Sequence, residues 1–386
     1  MERLKRFFSK KNEKQYGMIA VLILIILLFQ GLTGGVLLKP LNVTNVILQN
    51  SYIIVLAIGM LLTILAGYID LSVGSIAAFV GAISGVLVIS QKMDPVLAIV
   101  ISLVIGAVVG AWNGFWISYV NIPAFIVTLG SQMIFRGLTM VILQGQTLAP
   151  FPSVYQIMGS GFIPSFCEGT FNMTAIAVGV VCIILCTISK VLKRKKQKKY
   201  NIEIETNWVF VLKLFVVDIA LALFTYWMAA YQGIPTVLVL LVVLILVYSF
   251  ITEHTTIGRH IYAFGGNEKA ARLSGIKTKR VFFWVYVNMG VLAALAGIVY
   301  ASRLNAATPK AGTNFELDAI AACYIGGASA SGGIGTVAGA VIGSLVMGVL
   351  NNGMSIMGIG VDWQQAIKGL VLIIAVAFDI FSKKER

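Results

Sequence analysis

Unbroken apolar runs set the strongest limit on what this chain can fold into. Val21 to Phe29 and Val237 to Val247 contain no polar residue, and similar stretches recur throughout the 386 residues. A helix needs about 20 apolar residues to cross the roughly 30 Å hydrocarbon core of a bilayer. Apolar residues make up 59% of the chain and charged residues only 11%, against about 25% in a typical soluble domain. This balance excludes a soluble enzyme, a secreted disulfide scaffold and a disordered chain. An outer-membrane barrel would alternate apolar and polar residues with period two, and these runs do not. The expected fold class is an all-α polytopic membrane protein.

Twelve candidate transmembrane helices can be traced, near 17–37, 46–66, 70–90, 95–117, 121–143, 172–191, 208–230, 234–251, 281–302, 316–331, 335–356 and 363–381. The apolar stretch after Met18 reads as an uncleaved first span, since no small-residue cleavage site follows it cleanly. The formal net charge is +14, and of 29 Lys and Arg, 22 fall in four segments: 1–15, 190–200, 252–280 and 382–386. Basic residues gather on the cytoplasmic side of membrane proteins. Twelve crossings from a cytoplasmic N-terminus place all four clusters on that side and bring the C-terminus back to it. The charge therefore reads as orientation signal, and no nucleic-acid partner is expected. The run Gly326 to Gly333 is a poor continuous helix, because glycine costs about 1 kcal/mol relative to alanine. A broken or re-entrant helix is expected near 316–335.

Residues 70–85 and 318–333 echo one another. Each is followed by a pair of glycines at four-residue spacing, Gly106/Gly110 and Gly339/Gly343. By this topology the two copies run in opposite directions, as inverted repeats do in transporters. Small residues at that spacing let helix backbones approach closely. Tight packing and sliding of smooth helices both fit, and sequence does not separate them.

Ionisable groups at membrane depth cost roughly 2.5 kcal/mol or more, so each is a functional candidate by default. Asp70, Ser72, Ser75, Asn113, Asn305 and Asp318 are the candidates for lining a pathway. Asp70, Glu316 and Asp318 also suit helix starts, where a carboxylate accepts backbone N–H groups and opposes the dipole. Arg136 lies within a span and requires a partner that sequence does not identify. Asp218 has Lys213 five residues earlier, poor spacing for a helical pair. The four cysteines read as structural filler, and the two histidines, His254 and His260, share one basic loop. No catalytic, cofactor or metal-binding constellation emerges.

The segment 252–280 is long for a connector. Asn267 can cap a helix begun by Glu268 and continued by Ala270, Ala271, Arg272 and Leu273, with Gly266 before it and Gly275 at the left-handed C-terminal position. Such a helix is too short to stand alone. It must pack on its own chain or on a partner.

This same segment, IYAFGGNEKAARLSGI, resembles the permeases of bacterial monosaccharide ABC importers, the ribose, xylose and multiple-sugar systems. So do AGYIDLSVGSIAAFVGAISG, PAFIVTLGSQMIFRGLTM and the stretch LAALAGIVYASRLNAATPKAGTNFELDAIAACYIGGASASGGIGTVAGAVIGSLVMGVLNNG. NVTNVILQNSYIIVLAIGMLLTILAG and LTGGVLLKPLN look most like the multiple-sugar branch. The resemblance covers almost the whole chain. It implies a type II importer core of about ten helices in a single permease domain, 1–386. It also implies a homodimer in the cytoplasmic membrane, an extracytoplasmic sugar-binding protein, and a cytoplasmic ATPase with tandem nucleotide-binding domains. That ATPase would dock on 252–280, with Gly266, Asn267, Glu268, Ala270, Ala271, Arg272, Leu273 and Gly275 as coupling residues. Residues 172–230 would be an added helix pair. No Gly-Lys dipeptide occurs, so no P-loop is present, and the chain is expected to be a transport subunit rather than an enzyme. The rival class is an ion- or proton-coupled secondary transporter, which would rely on intramembrane carboxylates such as Asp70 and Asp218.

Overall fold

The computed structural model describes residues 10–384 apart from 168 and 201–205. The basic residues before position 10, and Arg386 of the C-terminal cluster, lie outside the described residues. Within the described part the regular structure is helical, apart from two isolated antiparallel bridges. The helices are α1 (Lys10–Leu32), α2 (Pro40–Leu65), α3 (Val73–Gly85), α4 (Pro95–Ser118), α5 (Ala124–Leu143), α6 (Ser153–Ser160), α7 (Met173–Lys199) and α8 (Asn207–Ala229). There follow α9 (Thr236–His254), α10 (Thr256–Gly266), α11 (Glu268–Leu273), α12 (Thr278–Leu304), α13 (Phe315–Ile325), α14 (Val337–Ile356) and α15 (Val361–Lys384). A π-helical turn, Val86–Ser90, extends α3. Among the described residues, nine helices are long and apolar enough to cross a membrane, and Gly17–Leu32 is a shorter apolar stretch.

Local chemistry explains where these helices begin. Asp94 accepts the N–H groups of Val96 (2.9 Å) and Leu97 (3.1 Å), with Pro95 in the first turn of α4. Asn172 caps α7 and Thr336 caps α14 in the same manner. Ten of the twelve candidate spans correspond to long helices, the third to the 13-residue α3 with its π-helical turn, and the tenth departs. Residues 316–331 form only the 11-residue α13, about 16 Å at 1.5 Å per residue. The glycines that follow explain why: Gly327, Gly332 and Gly333 hold φ of +77°, +78° and +69°, closed to a helix and costly for any other residue.

The chain divides into two units. One comprises Leu38–Asn45 and Gly161–Thr236, and the other holds the remaining residues. In the smaller unit α7 and α8 form an antiparallel hairpin. Gly179 admits Thr225, Thr187 Oγ1 donates to Asp218 at 3.3 Å, and Arg194 donates to Asn207 at 2.6 Å while lying 4.3 Å over the Phe210 ring. Asp218 is thus served by a hydroxyl on the facing helix.

The larger unit is organised on α12. Along α4, Gly106, Gly110 and Gly114 meet Gly290, Tyr286 and Phe283 in turn, so the two helices run antiparallel with their backbones touching. Along α3, Gly81 and Ala77 meet Gly297, and Gly85 meets Ala307, so α3 runs parallel to the second half of α12. The paired glycines of the echo therefore have different partners: Gly106 and Gly110 face α12, whereas Gly339 and Gly343 face the end of α13 at Gly326 and Ala322. The stretch 144–171 is also more ordered than a connector. Its α6 packs on α12 through Ser302 Oγ, which accepts from Gly159 N (2.8 Å) and donates to Tyr155 O (2.7 Å).

A Cβ at Gly290 would overlap Gly106 O and lie 2.7 Å from Gly110 Cα, whereas Gly130 has nothing within 4 Å. Gly290→Ala is expected to destabilise the chain by about 1–3 kcal/mol, read as a lower midpoint for thermal loss of monodispersity in detergent. Gly130→Ala, inside α5 with open space beside it, is expected not to lower that midpoint.

Candidate functional site

Two helices of the larger unit start close to half-way through it. α3 begins alongside the middle of α12, after the non-helical segment 66–72. The segment 305–314 turns back along α3, from Ala307 beside Gly85 to Gly312 beside Gly74, and α13 starts there. α13 then runs the opposite way to α3. The residues after it reach the end of the bundle formed by Leu65 and Gly265, where Gly333 N donates to Leu65 O at 2.9 Å. The N-termini of two oppositely directed half-helices therefore meet at Gly74, Gly312 and Glu316. A side chain at Gly74 would overlap both Gly312 O and the Glu316 carboxylate.

Polar side chains fill this junction. Asp70, 1% exposed, accepts from Ser72 N (2.9 Å) and Ser72 Oγ (2.5 Å). Asn113 Nδ2 donates to Ser72 Oγ at 3.0 Å, and Ser131 Oγ donates to Asn113 Oδ1 at 2.5 Å. The loop, α4 and α5 are thus tied by one continuous chain of hydrogen bonds within the bundle. On the α13 side Arg136 donates to Ala311 O at 2.5 Å, and Gln132 donates to Glu316 Oε1 at 3.2 Å. Asp70 does not cap α3 itself: Ser72 occupies the cap position, and Asp70 holds Ser72 from outside the helix. Ser75 Oγ and Glu316 Oε2 are buried with no hydrogen-bond partner among the described residues.

A polar cavity of about 300 Å³ opens at the end where α12 and α14 finish and α15 begins. Tyr52, Arg303, Asp318, Asn351, Gln365 and Lys368 are among its lining residues. Its inner wall is aromatic. Tyr52 stacks on Phe315 at 4.2 Å and meets the edge of Tyr300 at 5.2 Å. Lys368 Nζ lies 2.9 Å from Asp318 Oδ1, nearly shielded from solvent. Asn351 Oδ1 is buried without a hydrogen-bond partner among the described residues.

At the opposite end, α11 is the short helix expected from sequence. Asn267 Oδ1 accepts from Ala270 N at 2.9 Å, and Gly275 has φ of +85°. Ala271 is buried, while Leu273 is 89% exposed with Glu268 and Arg272 beside it on the open face. The preceding α10 was not foreseen as a separate helix. Its Gly265 packs directly on Leu65 O and Gly333 N, and Tyr262 Oη donates to Gly335 O at 2.7 Å.

The pathway candidates therefore separate into three places. Asp70, Ser72 and Asn113 join in the closed junction, with Ser75 buried on the first turn of α3. Asp318 lines the open cavity. Asn305 lies away from both, with φ of +53°, accepting from Phe151 N at 2.8 Å. Sequence reasoning missed Ser131, Gln132, Tyr52 and Lys368. For Lys368 a signal existed, a lone cation inside a candidate span. For the others no pattern in the chain distinguishes them.

Breaking a shielded ion pair leaves one charge uncompensated, at about 3–5 kcal/mol, whereas replacing both members can be neutral. Lys368→Met should therefore lower thermal stability in detergent more than the double variant Asp318→Asn with Lys368→Met. Equal losses in the two would show that the pair carries no coupling.

The family model described as "Branched-chain amino acid transport system / permease component" matches residues 42–376. The xylose transport system permease protein of Escherichia coli (strain K12) is 36% identical over 373 residues, 97% of this chain and 93% of that protein. Its counterpart in Haemophilus influenzae is 34% identical over 376 residues, covering 97% and 98%. The ribose import permease protein of Bacillus subtilis is 34% identical over 380 residues, covering 98% and 96%. No solved structure matches. The polytopic helical fold and this full-length similarity place the chain in the family of membrane permease components of transport systems.

Proposed function

We propose that the chain is the membrane-spanning permease subunit of an ATP-binding cassette importer that carries a monosaccharide into the cytoplasm. Similarity to xylose and ribose permeases over nearly the full length carries this reading. The family description names branched-chain amino acids, but the cavity chemistry favours a hydroxyl-rich solute. Amides, an ion pair and tyrosine hydroxyls line it, groups that pair with sugar hydroxyls and gain little from an aliphatic side chain.

In this reading the 300 Å³ cavity, with Asp318, is the outer vestibule, facing an extracytoplasmic sugar-binding protein. The junction of Asp70, Ser72, Asn113 and Ser131 is the closed gate beneath it. Two copies of the chain flank the pathway. The termini and the segment 252–280 lie in the cytoplasm, as the grouping of basic residues supports. There α11 docks into a cytoplasmic ATPase with tandem nucleotide-binding domains, presenting Glu268, Arg272 and Leu273. A fully exposed leucine at the tip of a six-residue helix fits a surface that a partner covers. Motion of α11 would pass through Gly265 to Leu65 and Gly333, and so to both half-helices. Residues 172–230 are an accessory helix pair, in keeping with their falling in the smaller unit rather than in the one that holds the vestibule and junction.

The test is reconstitution of the chain in liposomes with its cognate ATPase and binding protein. Uptake of labelled xylose or ribose should require ATP and both partners. Uptake by the chain alone, driven by an ion gradient, would replace this reading with secondary transport. In the same system Leu273→Asp is expected to reduce copurification of the ATPase at least tenfold, with membrane insertion unchanged.

A further inference from the structure

A second cavity, about 720 Å³, lies beside α11 and is distinct from the vestibule. Its walls come from α9, α10, α12 and the linker 274–277, with Leu62 of α2. Most of its lining is apolar, including Ile251, Ile257 and the 55%-exposed Trp284. At one edge stand Lys277 and Arg280, both exposed, and none of the lining side chains is acidic. Arg280, Trp284 and Asn288 are spaced by four on α12, so they share one face, a cation first, an indole next and an amide deepest. The amide is incompletely served. Tyr248 Oη donates to Asn288 Oδ1, and Asn288 Nδ2 is buried with no acceptor among the described residues.

An apolar slot with a cationic rim and an interfacial tryptophan has the polarity of a phospholipid at the membrane surface. We propose that this slot holds one anionic phospholipid. Its phosphate sits on Lys277 and Arg280, an acyl chain lies along Ile251 and Trp284, and Asn288 Nδ2 donates to an ester oxygen. A zwitterionic lipid would carry its own cation toward Lys277 and Arg280, so the charge pattern selects a net negative headgroup. Because Ser274 to Lys277 form one wall of the slot, the lipid would also fix the linker that leaves α11. That last consequence rests on α11 being the ATPase contact, whereas the lipid site itself does not.

Native mass spectrometry of the purified full-length chain tests the site directly. The chain is exchanged into detergent with phosphatidylglycerol or with phosphatidylcholine of the same acyl chains. One phosphatidylglycerol per chain should be retained under activation that strips phosphatidylcholine, and Lys277→Gln with Arg280→Gln should cut retention at least fivefold. Lys195→Gln with Lys198→Gln, on the exposed end of α7, should leave it unchanged. Equal retention of the two lipids by the unsubstituted chain overturns the proposal without reliance on any variant. So does unchanged retention in the Lys277/Arg280 variant. Sugar uptake plays no part in the readout, so failure of the importer reading and failure of the lipid site are separately visible.

Discussion

Backbone groups that leave a helix inside a bilayer have no water to bind, and everything distinctive in this chain follows from how that need is met. Two non-helical segments, 66–72 and 305–314, interrupt the helices of the larger unit, with Asp70, Ser72, Ala307 and Gly312 buried. Arg136 serves the carbonyl of Ala311, Asp70 serves the N–H of Ser72, and Leu65 O receives the N–H of Gly333. Those three bonds satisfy backbone groups at the points where the two half-helices begin or end. The charged residues of the junction are thus explained first by the backbone they satisfy. Any role in a gate is built on that.

The glycine seam is the companion constraint. Lipid tails are as apolar as the helices, so burial drives association weakly and close packing must hold the bundle together. α4 and α12 touch backbone to backbone at Gly106, Gly110 and Gly290, fixing α12 as a rigid post. α3 is aligned on that post, and the α13 start is placed by its contact with Gly74. In the proposed importer, α10 and α11 then act on the movable parts: the end of α2 and the loop beyond α13.

The helices were legible in the sequence because their signal is physical and local. Apolar length set the spans, and Asn267 marked the start of α11 by capping chemistry that the structure repeats at Asp94, Asn172 and Thr336. The half-length of α13 was also foreshadowed by Gly326 to Gly333. The meeting of α3 and α13 was not legible, since it depends on residues 305–314 folding back along α3. Nothing in Asn113 or Ser131 marks them as partners of Ser72, because hydrogen bonds between helices leave no spacing rule in the chain. Asp318 illustrates the boundary well. Its place at a helix start was readable, whereas its pairing with Lys368, fifty residues on, required the fold.

The central claim is that a closed polar junction separates an outer vestibule from a cytoplasmic coupling surface. Substituted-cysteine labelling tests it most directly, using a membrane-impermeant thiol reagent on right-side-out and inside-out vesicles. Cys167, Cys182, Cys186 and Cys323 would first be replaced. Asn351→Cys should label only from outside, Leu273→Cys only from inside, and Ser72→Cys from neither side in the resting chain. Labelling of the Asn351 and Leu273 positions from the same side would contradict the account.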